Sequence, residues 1–453
     1  MKKRIFASVI GLVGFAAVLS PQVRAEVKEK YENLQVFAKV LNLVQEYYVE
    51  DVQPKKLIYG GIKGMLAELD PHTNFLPPDI FQEFETETSG EFGGLGIEIT
   101  VEGGILTVLA PIEDTPAWKA GIKGGDKIVS INGESTKGLS LVEAAKRMKG
   151  KTGSAVRLGV FREGFDKPQE FKIVRDVIRV KSVKWTDLDD GYVYVRLTSF
   201  IEKTYGDLRE VLDQIQKRNK SVRGLIIDLR NNPGGLLDQA VKISDLFIEE
   251  GVIVSTVGRN KTAKSVSYAR KEGTLNGFPI VVVINEYSAS ASEILAGALQ
   301  DHQRAVIMGQ KSFGKGSVQS VVKLGDGSGL KLTVARYYTP NGRSIQAEGI
   351  KPDIAVDNID SEVFKKAVIE TRAKREKDID GHLRGDNEES TSAESVWYLK
   401  SKDDKKKLSP REELISKDYQ IMQAYNYLRA WDFFGQKKKR EKESEKQKES
   451  AAP

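Results

Sequence analysis

The sequence predicts an α+β protein of several domains: N-terminal helices, a small β-barrel-like domain, an α/β layered core, and a C-terminal helix followed by a disordered tail. Apolar residues recur at helical spacing over residues 26–89 and alternate with a period of two over residues 90–178. Strands then alternate with helices over residues 179–357, before a polar segment over 358–453. A chain of 453 residues with 40% apolar composition can build more than one core, so several domains are expected.

Composition excludes several classes of function. The net charge of +6 is small for this length and no aromatic-laced basic patch occurs, so nucleic acid is not an expected partner. The absence of cysteine excludes disulfides, thiolate nucleophiles and zinc–thiolate sites. The three histidines do not form an H-E-x-x-H motif, and neither a metal nor another cofactor is implied.

The N-terminus has the pattern of a secretory signal peptide. Basic residues 2–4 precede an apolar run over residues 5–19, and a small-residue cleavage site ends at Ala25. The predicted signal peptide is residues 1–25, and the mature chain would begin at Glu26 in the periplasm or cell envelope. An uncleaved anchor is the alternative, although the apolar run is short for a membrane span.

Residues 26–89 have the pattern of two or three helices. Apolar residues at helical spacing fill residues 36–49 and 58–69, and Asp70-Pro71 ends the second pattern. Because amphipathic N-terminal helices often serve dimer contact, a homo-oligomer formed through these helices is expected.

Residues 90–178 have the pattern of short strands with one helix among them. The loop Gly94-Leu95-Gly96-Ile97 enters a strand, so its amides could bind a peptide carboxylate while the strand pairs with the extended peptide. A helix near residues 141–148 would form the other wall of the groove. Together with AGIKGGDKIVSING at residues 120–133, these features indicate a PDZ domain; a small β-barrel without a ligand is the alternative.

In the core, a buried strand over residues 278–284 leads into a turn with three serines, Ser288, Ser290 and Ser292. Ser290 and Glu293 have the spacing of a capping box. The same turn also suits a nucleophile, because the free N–H groups at a helix start can stabilise an oxyanion. The turn by itself does not decide between the two roles.

A nucleophile at Ser290 needs a base, and the histidines do not supply one. His302 lies at the far end of the helix that Ser290 would open, about 15 Å away. His72 follows the Asp-Pro stop and His382 lies in the polar linker. A serine–histidine triad is therefore not expected.

Lys315 is the remaining candidate for the base. It lies between Gly314 and Gly316, whose flexibility suits a lysine threaded inward. Burial, with apolar cover from Phe313 and Val318, would have to lower its pKa, and a surface turn is the alternative. Ser312 and Lys315 also fit S-x-x-K, but the glycines disfavour the helix that this pairing needs, so it ranks below Ser290.

Seven segments resemble the C-terminal processing peptidases, serine proteases of bacterial envelopes and plastids with a PDZ domain and a serine–lysine dyad. The resemblance runs from about Val36 to Asp353 and implies a crotonase-like protease core. The segments are LDPHTNFL, FGGLGIEI, AGIKGGDKIVSING, LIIDLRNNPGG, SASASEILAGAL, SFGKGSVQ and GRSIQAEGIKPD.

The resemblance implies roles for particular residues. The nucleophile falls on Ser290, the general base on Lys315, and the glutamine that helps to hold the lysine on Gln319. The oxyanion amides would come from Ala291, Gly234 and Gly235. Lys149 stands where many relatives carry arginine before a glycine, and a lysine cannot reproduce a bidentate guanidinium there.

The C-terminal part is predicted to contain a polar linker, an amphipathic helix over residues 411–434 and a charged tail over residues 436–453. The tail could contact an anionic membrane surface, although a solvated, disordered end is the expected behaviour of this composition.

The function predicted from these features is that of an exported serine endopeptidase. It would recognise the exposed C-terminal tails of protein substrates through its PDZ domain and cut near them through an acyl-enzyme. A PDZ adaptor with an inactive core and a peptidoglycan-associated scaffold are the alternatives.

Overall fold

The computed structural model describes residues 21–112, 114–218, 222–262, 264–359 and 408–450. Most of the predicted signal peptide and the polar linker with His382 lie outside the described residues. The helices are α1 (Pro21–Tyr47), α2 (Pro54–Ala67), α3 (Pro78–Ser89), α4 (Pro116–Lys119), α5 (Leu141–Met148), α6 (Thr204–Arg218), α7 (Leu237–Asp245), α8 (Ala291–Asp301), α9 (Pro410–Lys417) and α10 (Tyr419–Ser450).

The strands form three larger sheets and one ribbon. They are β1 (Asn74–Leu76), β2 (Glu91–Gly94), β3 (Ile97–Glu102), β4 (Ile105–Pro111), β5 (Lys127–Ile131), β6 (Glu134–Ser135), β7 (Ala155–Phe161), β8 (Gln169–Val174), β9 (Asp176–Arg179), β10 (Val183–Asp187), β11 (Tyr192–Leu197), β12 (Gly224–Asp228), β13 (Val252–Gly258), β14 (Lys264–Tyr268), β15 (Ile280–Ile284), β16 (Val306–Gly309), β17 (Ser317–Lys323), β18 (Gly329–Tyr338) and β19 (Ile354–Ala355).

The N-terminal helices are joined to the core by a short strand. β1 pairs antiparallel with β18, with Phe75 opposite Leu330. The predicted stop at Asp70-Pro71 therefore marks the entry into a strand of the core sheet. Apolar side chains on α1, including Leu34, Val36 and Val40, are more than half exposed.

The second unit is a sheet of order β3-β4-β5-β7-β8, with β6 on β5, closed over its own buried core. The α5 helix begins at Ser140 with a complete capping box to Glu143 and packs against β3. The antiparallel ribbon of β2 and β9 connects this unit to its neighbours. Both chain ends of the unit therefore leave through one ribbon.

The central sheet of the core has the order β10-β11-β12-β15-β16-β19 and is parallel except at the β10 edge. Its middle strands are buried on both faces, as expected for apolar runs in a parallel sheet. Helices α6, α7 and α8 cover one face, and α9 and α10 cover the other. The carboxyl ends of β12 and β15 lie side by side, which brings together the turns that follow them.

A second core sheet, of order β1-β18-β13-β14 with β17 on β18, carries the loop that contains Lys315 at the start of β17. The predicted fold class is confirmed by this arrangement. No helix in the described part of the chain combines the length and the apolar character that a bilayer span requires.

The C-terminal helix differs from its prediction in two ways. The predicted helix is divided in two at Asp418, which ends α9. The Asp418 side chain also caps the start of α10, because it accepts a hydrogen bond from the Ile421 N–H at 3.1 Å. In addition, α10 continues to Ser450, beyond the predicted end at residue 434, because Lys, Glu and Gln are good helix formers.

Candidate active site

Ser290 occupies a strained turn between β15 and α8. Its φ of 56° lies in the left-handed region, where a residue other than glycine costs about 1–3 kcal/mol. Its side chain is mostly buried, and Ala291 follows as the first helical residue, whose N–H has no acceptor within the helix. A strained strand-to-helix turn of this kind presents a side-chain oxygen next to a backbone donor.

The glycine turn after β12 packs directly against Ser290. A Cβ on Gly234 would lie 2.9 Å from the Ser290 Cβ and 2.9 Å from the Ala291 nitrogen, and the φ of Gly234 is 98°. Only glycine can occupy this position without a shift of the backbone. The structure therefore brings the predicted oxyanion turn and the predicted nucleophile together.

The buried residue Asn232 stabilises the contact between the glycine turn and the serine turn. Its Oδ1 accepts from the Gly234 N–H at 2.9 Å, its Nδ2 donates to a carbonyl of β11, and its carbonyl accepts from the Ser292 hydroxyl at 3.0 Å. Because the Gly234 N–H is used within the turn, Gly235 and Ala291 are the better candidates for oxyanion donors. Ser288 is fully buried and donates to the Leu229 carbonyl.

Lys315 is half-buried in a loop that packs on residues 346–349. A Cβ on Gly316 would lie 2.4 Å from the Gln346 nitrogen, so this close approach requires glycine. Burial lowers the pKa of Lys315, the positive charge of Lys331 lowers it further, and Glu293 opposes both. These effects favour the neutral amine that a general base requires.

The predicted apolar cover of Lys315 is wrong in part. Val318 packs against the core, but the Phe313 side chain is 61% exposed. The Phe313 N–H donates to the Ser288 carbonyl. This hydrogen bond fixes the backbone of Phe313 while its ring faces solvent. Groups other than the Phe313 ring therefore bury the Lys315 amine.

Glu293 links the two halves of the site. One carboxylate oxygen accepts from the backbone N–H groups of Ser290, at 2.8 Å, and Lys315, at 2.9 Å. The other oxygen accepts from the Ser312 hydroxyl and the Gly314 N–H, both at 2.6 Å. Sequence reasoning identified Glu293 only as a helix cap, because its other three partners lie about 20 residues further along the chain.

The electrostatics of Glu293 follow from its complete burial. Burial raises the pKa of its carboxyl group, and the hydrogen bonds donated by Ser312, Gly314, Ser290 and Lys315 oppose this rise. All four partners are donors, so only an acceptor side chain fits the position.

Glu293→Gln is expected to lower the free energy of unfolding by about 2–4 kcal/mol, because the amide nitrogen would face donors that it cannot satisfy. Turnover should fall as well, since Ser290 and Lys315 lose their common anchor. Chemical denaturation measures the first effect. Glu286→Gln, at an exposed position in the same turn, is the control and should change neither quantity.

Gln319 lies on β17 opposite Thr333 of β18. Its Nε2 donates to the Ser317 hydroxyl at 2.8 Å and approaches the Thr333 hydroxyl at 3.5 Å. Thr333 in turn donates to Asp70 Oδ1 at 3.1 Å. The N-terminal region thus reaches Thr333 on β18, the residue opposite Gln319, which the sequence did not indicate.

Two further side chains near the site were missed by sequence reasoning. Burial lowers the pKa of His72, and the charges of Lys315 and Lys331 lower it further, so His72 lies within electrostatic reach of Lys315. Burial raises the pKa of Tyr337 to about 12, and a hydrogen bond from Ser290 opposes this rise. His302 is remote, with its Nε2 on the Val252 carbonyl.

Ser312 has a structural environment. Its hydroxyl donates to Glu293 and accepts from the Ile350 N–H at 2.6 Å, and its side chain is buried. The segment from Ser312 to Lys315 is not helical. This geometry does not favour the S-x-x-K pairing.

The predicted carboxylate loop begins at the end of β2 and enters β3. Gly96 has a φ of 75°, and a Cβ there would lie 2.3 Å from Thr115. The carbonyls of Leu95 and Gly96 accept from Ala117 and Ile112, which fixes the loop over the sheet. Lys149 lies over the Phe92 ring at 4.9 Å.

A guanidinium is nevertheless present near this loop, on Arg175, which directly precedes Asp176, the β9 residue that pairs with Gly94. Arg175 donates to the carbonyls of Arg147 and Met148 at the end of α5, at 2.9 and 2.8 Å.

In the described ranges, no group of three or more His, Asp or Glu side chains could hold a metal ion.

Comparison with known families gives three matches along the chain. Residues 191–356 match peptidase family S41, residues 107–162 match a PDZ domain, and residues 16–78 match the N-terminal domain of the activating protease CtpB. The S41 match contains both the serine turn and the lysine loop.

Individual relatives extend over most of the chain. A carboxy-terminal-processing protease of Bartonella bacilliformis is 42% identical over 88% of this chain and 89% of its own length. A carboxyl-terminal-processing protease of Synechocystis is 40% identical over 70% of this chain and 75% of its own length. The solved structure of a photosystem II D1 C-terminal processing protease is 31% identical, with a TM-score of 0.43 over 71% of this chain and 92% of that one.

Proposed function

Because the chain belongs to the carboxyl-terminal processing proteases of peptidase family S41, which are serine-type peptidases, we propose that it cuts protein substrates near their C-termini through a Ser290–Lys315 dyad. The observation that carries this proposal is the shared anchor on Glu293. One carboxylate oxygen accepts from the backbone N–H groups of both Ser290 and Lys315.

In the proposed mechanism, Lys315 takes the hydroxyl proton as the Ser290 oxygen attacks the scissile carbonyl carbon. The N–H groups of Gly235 and Ala291 stabilise the oxyanion. Lys315 then returns the proton to the leaving amine as the C–N bond breaks. The neutral Lys315 amine next takes a proton from a water molecule as the water oxygen attacks the acyl carbon, and it gives that proton to the Ser290 oxygen as the ester bond breaks. The Gln319 amide oxygen orients the Lys315 amine.

Turnover of casein by purified protein tests the proposal against an adaptor with an inactive core. The peptidase should release peptides in a reaction that Ser290→Ala abolishes. Binding of casein without cleavage by the wild type would favour the adaptor or the scaffold.

We also propose that the chain is exported and that residues 1–25 are removed. The support is the basic, apolar and small-residue order of that segment. N-terminal sequencing of protein from the envelope fraction is expected to begin at Glu26. An intact Met1 in that fraction would instead identify an anchor.

The PDZ domain is proposed to bind the substrate carboxylate through the Gly94–Ile97 loop. Gly96→Ala should weaken binding of a peptide with a free C-terminus at least about 10-fold, because the new methyl group would collide with Thr115. Gly103→Ala is the matched control, since Gly103 also has positive φ but nothing within 4 Å of its Cβ position. Equal affinity of both variants, measured by fluorescence polarisation, would remove the loop from the binding site.

Two further partners are proposed from exposed features of the first and last helices. The exposed apolar residues of α1 suit a second copy of the chain, which supports a homo-oligomer. The basic run over residues 437–440, next to exposed Phe433 and Phe434, suits an anionic membrane surface. Sedimentation of a chain that lacks α1, and flotation with anionic vesicles, test the two proposals.

A further inference from the structure

The last helix is tethered to the central sheet by two arginine–aspartate pairs, one at each end of β12. Arg223 precedes the strand and pairs with Asp432. Arg230 follows the strand and pairs with Asp418 through two hydrogen bonds, at 2.6 and 3.0 Å. The Arg230–Asp418 pair therefore lies at the same edge of the sheet as Ser290, beyond the carboxyl ends of β12 and β15.

Arg230 is held on all sides. Its Nε and Nη2 donate to the fully buried Asp228 at 2.9 and 2.8 Å, and its Nη1 also donates to Gln420 at 2.9 Å. Asp228 accepts in addition from the Tyr194 hydroxyl at 2.8 Å. The guanidinium fork thus bridges the sheet and the start of α10 with a defined orientation.

The same arginine begins the turn that reaches the nucleophile. The Arg230 N–H donates to Asp228, and Asn231, at a φ of 56°, exchanges hydrogen bonds of 2.9 and 2.8 Å with Asn285. Four residues after Arg230, Gly234 packs against Ser290 with no room for a Cβ. A displacement of Arg230 would therefore move the turn in which the oxyanion donors are proposed to lie.

We propose that Asp418 is a positioning residue for peptide-bond hydrolysis. Through Arg230 it holds the turn over residues 230–235 so that the Gly235 and Ala291 amides face the oxygen that develops charge. The inference rests on the proposed function. It gives a role to the C-terminal segment, which lies outside the S41 match over residues 191–356.

The test compares Asp418→Asn with Asp432→Asn in the full-length mature protein. Asparagine is as good a helix cap as aspartate, so the first variant keeps the cap on α10 and removes one of the two carboxylate charges that hold Arg230, the one that α10 supplies. Asp432→Asn weakens the other tether of the same helix, away from Ser290. Asp418→Asn should lower kcat about 10- to 100-fold with KM changed less than about 2-fold, and Asp432→Asn should leave both unchanged.

Hydrogen exchange provides a second readout that does not depend on turnover. The amides of Asn231, Asn232, Gly234 and Gly235 should exchange faster in Asp418→Asn than in Asp432→Asn. If both variants keep the wild-type kcat, or both lose it equally, the assignment is wrong. If the wild type itself shows no Ser290-dependent turnover, the proposed function fails, and equal exchange in the two variants would then also refute the coupling.

A second variant covers the case in which Asp418→Asn does not fold. Gln420→Met removes the neutral acceptor for Arg230, together with the hydrogen bond that Gln420 donates to the Val356 carbonyl at 2.7 Å, and preserves the volume of this buried side chain. It should lower kcat about 3-fold without a change in KM. A wild-type kcat in folded Gln420→Met would count against the assignment.

Discussion

Ser290→Ala is expected to lower the rate of peptide-bond hydrolysis by at least about 10⁴-fold, the scale seen when a nucleophile is removed from a serine protease. The variant should fold, because Glu293 accepts from the backbone N–H of Ser290, which alanine retains. Peptide release from casein, with the free energy of unfolding measured in parallel, checks both expectations.

Ser312→Ala is the matched control for this prediction. It removes a buried hydroxyl that bonds to Glu293 and Ile350, so stability should fall while turnover persists. An inactive Ser312→Ala beside an active Ser290→Ala would contradict the assignment of the nucleophile and favour the S-x-x-K pairing.

Lys315→Met is expected to lower turnover about 10²- to 10⁴-fold, the usual contribution of a positioned general base. Methionine keeps most of the buried volume, so the loss would report the amine. Lys315→Arg should be equally inactive, because a guanidinium keeps its proton at all accessible pH values. Steady-state kinetics on a reporter peptide measures both.

The pH profile adds a test with a definite sign. Only neutral Lys315 can take a proton, so the wild-type rate should rise with pH and reach half its maximum below the ordinary lysine value of 10.5. Lys331→Met removes a neighbouring positive charge that lowers this pKa, so it should move the profile to higher pH at an unchanged maximum.

The titration of His72 must be distinguished from the titration of Lys315 in such a pH profile. The pKa of His72 lies below its ordinary value of 6.5, so a step at acid pH would report the histidine. His72→Gln removes that titration and should leave the alkaline limb in place. A profile that stays flat in both proteins would contradict a lysine base.

Local patterns account for the parts of the fold that sequence reasoning predicted. The apolar run before Ser290 defines a strand buried on both faces, and the residues after it define a helix, so the turn between them follows. The glycines at 314 and 316 likewise predicted that the backbone approaches another segment closely. That segment is residues 346–349, whose backbone leaves little room for a side chain at either glycine.

The parts that were missed depend on contacts between distant segments. Asp70 meets Thr333 across 263 residues, and Arg230 meets Asp418 across 188. No local period encodes such pairings. The break of the last helix at Asp418 was unpredictable for the same reason, since the 411–434 segment alone has an uninterrupted helical pattern.

Labelling with a fluorophosphonate tests whether Ser290 forms a covalent bond in a step that depends on Lys315. Mass spectrometry of the digested protein identifies the serine that has formed a bond to phosphorus with loss of fluoride. The label is expected on Ser290, at a rate that rises with pH and is nearly lost in Lys315→Met. Label on Ser312, or an unchanged rate in Lys315→Met, would contradict a Ser290–Lys315 dyad.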